Sequence, residues 1–86
     1  MGETEIGKVT HYFNHLNVAA IVITAGELKV GDTIHIKGHT SDFTTTVRSI
    51  QIEHKQVEVA KPGDSIGIEV PEHVREHDQV FLVTPE

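Results

Sequence analysis

The chain has 86 residues, room for one small domain with one modest core, and this excludes most complete enzymes built on large α/β folds. Seven Lys and Arg face thirteen Asp and Glu, a net charge of −6 with the seven histidines neutral, so broad binding to duplex phosphates is disfavoured. The absence of cysteine excludes disulfides, thiolate metal sites and cysteine nucleophiles.

In chain order, the start Met1-Gly2-Glu3-Thr4-Glu5 is acidic and carries no apolar run. Residues 7–12 read as a first strand, with Val9, His11 and Phe13 on one parity. Residues 18–24 read as a second, apolar on both parities, which fits a central or doubly covered strand. Its apolar stretch, residues 18–23, is the longest in the chain and is too short to span a bilayer. A cytoplasmic protein without a membrane partner is therefore expected. Ala25-Gly26-Glu27 forms a tight turn, and Gly31-Asp32 opens a third strand at 33–37, with Ile34 and Ile36 inward and Thr33, His35 and Lys37 outward. Residues 43–54 read as one long fourth strand. Its parity slips between Val47 and Ile50, which a bulge near Arg48 or Ser49 would reconcile.

Three more strands are predicted at 57–60, 66–70 and 79–83. Pro62-Gly63-Asp64 carries the signature of a type II turn, with Pro setting φ and Gly supplying the positive φ that follows. Gly67, inside a strand, marks a bulge or a close backbone approach. Seven short strands with regular turns predict an all-β fold, a small closed or nearly closed antiparallel β-barrel of six to seven strands. A single domain is expected over 1–86, with its core over 6–83 and fraying at residues 1–4 and 84–86. Gly31-Asp32-Thr33-Ile34 is echoed by Gly63-Asp64-Ser65-Ile66, which reads as the same turn chemistry used twice.

The run Gly26-Glu27-Leu28-Lys29-Val30-Gly31-Asp32-Thr33-Ile34-His35-Ile36 resembles the second domain of translational GTPases such as elongation factor Tu. Val47-Arg48-Ser49-Ile50 and the turn from Ala60 to Gly67 are similar to later pieces of that domain. His77-Asp78 stands where the family commonly has a glycine. The resemblance covers residues 6–83 and implies a barrel that contributes to RNA binding. Residues 6–13, 31–40 and 49–55 also resemble a small domain of this type that is appended to bacterial collagenase-like peptidases, where it is not the catalytic part. No phosphate loop is present, since the one Gly-Lys pair, Gly7-Lys8, continues into Val9; neither GTP nor any other cofactor is expected.

Candidate binding residues follow from residue type and position. His11 shares the parity of Val9 and reads either as a half-buried, hydrogen-bonded histidine or as part of a stacking surface with Tyr12 and His15, suited to unpaired bases. Lys37 and His39, in the polar loop before the fourth strand, read either as part of a solvated hairpin loop with scattered charges or as members, with Arg48, His54 and Lys55, of a local basic spot. His73 and His77 are spaced four apart but read as a solvated turn, not a metal site. Ser49 has no nucleophile elbow, and Glu72 with Glu76 has no burial to raise a carboxyl pKa, so no enzyme activity is expected. The reading is a noncatalytic module binding RNA or a ribonucleoprotein partner; the alternative is a protein-interaction barrel acting with a separate peptidase or other protein.

Overall fold

The computed structural model describes residues 2–84. Ten strands and no helix make up these residues: β1 (Gly2–Phe13), β2 (Val18–Ile23), β3 (Leu28–Lys29), β4 (Thr33–Lys37), β5 (Asp42–Thr46), β6 (Ile50–Ile52), β7 (Lys55–Val57), β8 (Val59–Ala60), β9 (Ser65–Glu69) and β10 (Gln79–Thr84). Eight of them form one antiparallel sheet in the order β5-β4-β10-β1-β2-β9-β6-β7, and β3 pairs with β8 as a separate ribbon. The sheet curls around one core, with a radius of gyration of 11.4 Å. No ladder joins β5 to β7 among the described residues, so strand pairing does not close the sheet into a barrel.

Alternation builds the core. Ala19, Ile21 and Ile23 of β2, Ile34 and Ile36 of β4, and Ile66 and Ile68 of β9 all point inward and are buried. Burying each of these isoleucines stabilises the fold by roughly 1.5–3 kcal/mol relative to exposure. Gly67 sits in β9 without a register shift, facing Ala20 on one side and Gln51 on the other. A Cβ there would lie 3.3 Å from Val18, so this glycine serves close approach and not a bulge.

Three expectations are corrected. Residues 43–54 are not one strand. β5 ends at Thr46, β6 begins at Ile50, and the two lie near opposite ends of the sheet order. The parity slip marks a crossing of the chain. Val47, buried at its middle, is pinned there by Val47 N–H donating to Asp32 O and Gly31 N–H donating to Val47 O, both 2.8 Å. Second, β1 changes register between Val9 and His11, which pairs Val9 with Ile21 and His11 with Ala20. The parity of the first strand therefore breaks: Tyr12 packs against the core, while His11 and Phe13 are exposed. Third, Gly2–Thr4 and Thr84 are not frayed but paired, Gly2 with Thr84 and Thr4 with Leu82, because β1 runs on beside β10. Met1, Pro85 and Glu86 of that expectation lie outside the described residues.

The repeated turn occurs three times. Asp32 N–H donates to Lys29 O while its carboxylate accepts from Lys29 N–H. Asp64 does the same to Lys61, and Asp78 to Arg75. In each, the residue before the Asp has positive φ: Gly31 at 97°, Gly63 at 94° and His77 at 75°. The third copy escapes a reading of the sequence because histidine stands where the other two carry glycine. The segment it closes is a solvated turn except for Val74, which is fully buried and plugs the core, and Asp78, which is also buried.

Candidate functional site

The β1–β2 hairpin tip gathers the least conventional surface of the molecule. From Val9 to Gly26 the chain carries no Lys, Arg, Asp or Glu. The register shift in β1 turns His11 and Phe13 outward, and their rings meet edge to face, 4.5 Å apart at 73°. Tyr12, directed to the other side, lies 4.5 Å from the ring of His73, and its hydroxyl donates to Asn17 Oδ1 at 3.2 Å. Asn17 adopts a φ of 54°, a left-handed conformation that asparagine tolerates, and this closes the hairpin. Phe13 is 43% exposed and Leu16 is 65% exposed. A shallow hollow of about 380 Å³ runs along residues 11–16.

The expected surface of His11, Tyr12 and His15 is thus brought together, with Phe13, Leu16 and His73 added. His11 is exposed and not half-buried. Phe13 was legible as an aromatic on the outward parity only once the register shift was known. His73 is sixty-two residues from His11, and nothing local in the sequence links it to Tyr12.

The five residues expected to make a basic spot fall on separate elements. Lys37 pairs with Asp42 at one end of the β4–β5 ladder and Thr33 with Thr46 at the other, so Lys37 and the start of the crossing to Arg48 are about 13 Å apart. His39 sits in the β4–β5 loop, where Thr40 accepts from Arg75 Nε at 2.8 Å. His54 and Lys55 are at the β6–β7 hairpin, near the far end of the sheet. Arg48 lines a separate groove with Ser49, and that groove contains no histidine to complete a dyad. Among the described residues no three His, Asp or Glu side chains form a metal-holding group. No helix of the described residues is long and apolar enough to cross a membrane.

A second cluster went unforeseen. His35, on β4, places Nδ1 2.8 Å from Glu3 Oε2 and Nε2 2.5 Å from Asp42 Oδ1. It thereby links β4 to its neighbour β5 and, across β10, to β1. Ionised carboxylates only accept, so both contacts are hydrogen bonds only when both ring nitrogens carry protons. The bond to Asp42, and then Glu3, holds the imidazole above its ordinary pKa against the opposing effect of burial. The same bond lowers the Asp42 carboxyl. The outward parity of His35 was legible; its carboxylate partners depend on strand order, which was not.

Comparison with known proteins adds three findings. The family described as elongation factor Tu domain 2 matches residues 17–71. An uncharacterized protease of Methanocaldococcus jannaschii is 42% identical over 80 residues, which is 92% of this chain and 19% of that protein. A collagenase of Porphyromonas gingivalis is 40% identical over 80 residues, covering 92% of this chain and 22% of the collagenase. The chain therefore spans about a fifth of the length of these curated relatives. Among solved structures, the C-terminal domain of a Geobacillus thermoleovorans "putative U32 peptidase" superposes with a TM-score of 0.85 at 17% identity, over 92% of this chain and 91% of that one. At that identity the likeness is one of fold.

Proposed function

Because the chain belongs to the elongation factor Tu domain 2 family, and its curated relatives carry the matching unit within much longer proteases, we propose that it is a noncatalytic docking module that works with a peptidase-type catalytic unit. The hairpin tip is the docking surface. The observation that carries this is the pair of exposed apolar side chains, Phe13 and Leu16, on a tip without fixed charge in a chain of net charge −6. Exposed apolar side chains ringed by polar groups are the usual mark of a protein contact. The fitting partner surface is apolar with hydrogen-bonding groups at its edges, which the imidazoles of His11, His15 and His73 can meet. The likeness to a peptidase C-terminal domain supports the same reading at the level of fold.

The test uses the Porphyromonas collagenase cut so that its catalytic portion lacks the matching segment. The chain added in trans is expected to co-elute with that portion on size exclusion. Separate elution of the two at every concentration tried would remove the proposal.

A second reading keeps RNA as the partner. It rests on the rings of the same tip, which offer stacking faces to unpaired bases. Titration with short single strands at low salt tests it, and a flat response from pH 6 to pH 8 eliminates it.

A further inference from the structure

The segment between Lys55 and Ala60 serves two sheets. β7 pairs with β6, β8 pairs with β3, and Glu58 bends the chain between them, its carbonyl accepting from Val30 N–H at 3.0 Å. At this change of partner a groove of about 610 Å³ opens, lined by Lys29, Val30, Arg48, Ser49, Val57 and Val59 among others. Two of the chain's seven Lys and Arg residues therefore face one groove. Neither forms an ion pair or a side-chain hydrogen bond among the described residues, where the ion pairs present are those of His35. Glu58 is the one carboxylate on the lining. Val30 is 42% exposed and Val57 and Val59 are half-buried, so apolar side chains make up about half of the groove surface beside the polar Ser49 and Gln56. β7 is the terminal strand of the eight-stranded ladder.

We propose that this groove is a peptide-binding site, distinct from the hairpin tip, that takes an extended segment bearing a carboxylate. A terminal strand offers backbone donors and acceptors to an added strand. Alternate side chains of that strand fall on one face, where Val30, Val57 and Val59 receive apolar groups. Lys29 and Arg48 take the carboxylate, and Arg48 is suited to do so through two parallel N–H bonds. A nucleic acid fits less well, because the lining holds no aromatic ring and Glu58 repels phosphate.

The experiment is an amide NMR titration of the full chain with a short alternating valine–glutamate peptide. Saturable shifts are expected at Lys29, Val30, Arg48, Ser49 and Gln56–Val59, with the tip resonances unmoved. The paired variant K29E/R48E is expected to weaken binding by roughly tenfold or more. K29Q/R48Q, which keeps the side-chain length, is expected to weaken it less, and dispersed spectra certify that both variants fold. The tip variant F13S/L16S is expected to bind the peptide as tightly as the parent, which separates this site from the docking surface. Equal binding of the corresponding valine–lysine peptide, unchanged affinity in K29E/R48E, no saturable shift at the groove, or tighter binding there of a uridine oligonucleotide would each overturn the proposal.

Discussion

At the scale of the residue, backbone conformation and one imidazole carry the clearest consequences. His77 holds a φ of 75° in a turn whose two sister copies use glycine. A side chain in that conformation costs about 1–2 kcal/mol, so His77→Gly is expected to raise the urea midpoint by the equivalent of about 1 kcal/mol. No change, or a fall, would mean that His77 makes a compensating contact. His35 sets the pH dependence. Its pKa is raised on folding from an ordinary value near 6.5, so its contribution is full below about pH 6.5 and is lost as pH rises through the raised value. Asp42 is lowered from its ordinary 3.8, so its contribution is present above that value and is lost as pH falls through the lowered one. Stability from this cluster is therefore expected to be greatest between about pH 4 and pH 6.5. The urea midpoint of the parent should fall from pH 6 to pH 8 more steeply than that of His35→Gln, and parallel curves would contradict the assignment.

At the scale of the element, the strands that were legible are those with inward alternation: Ile34 and Ile36 place β4, and Ile66 and Ile68 place β9. The turns were legible where glycine supplies the positive φ, at Gly26, Gly31 and Gly63. What could not be read is where a strand shifts register or crosses. Val9 and Phe13 share a parity in the sequence, yet one is buried and the other exposed because of the shift before His11. Likewise the pattern across Val47 and Ile50 fits a bulge as well as a crossing, and only long-range partners distinguish the two. The residues of the expected basic spot fall on separate elements for the same reason, since Arg48, His54 and Lys55 do not continue one strand from residue 43. Half of the hairpin-tip cluster was legible, because His11, Tyr12 and His15 are neighbours in the chain, whereas His73 reaches Tyr12 through tertiary packing.

Two further element-scale outcomes can be checked by denaturation. Gly7 in β1 faces the Val22 carbonyl so closely that a Cβ would overlap it. Gly7→Ala is therefore expected to destabilise by about 1–3 kcal/mol, since backbone cannot move aside as a side chain can. The β6–β7 turn holds Glu53 and His54 at φ 51° and 66°, the pattern of a type I′ hairpin without its preferred residues. The double variant E53N/H54G is expected to stabilise by about 1 kcal/mol. A loss of stability there would show that one of the two side chains makes a contact that outweighs the strain.

At the scale of the whole molecule, the described residues form one curled sheet and a short ribbon around one core, with several surfaces for contact. In its curated relatives the matching unit makes up about a fifth of the protein, and the remainder is about four times as long. A small rigid β frame suits docking, because hairpin tips projecting from a packed sheet are held in place at little entropic cost. The uncharged tip and the cationic groove lie on different hairpins, so two contacts at once are geometrically distinct events. The acidic remainder of the surface restricts which partners approach either of them. The most direct test of the central claim is calorimetric titration of the chain into the separated catalytic portion of the Porphyromonas collagenase, comparing the parent with F13S/L16S. A parent that binds and a folded variant weakened by at least about tenfold is the predicted result. Equal affinity for the two would contradict docking through the hairpin tip.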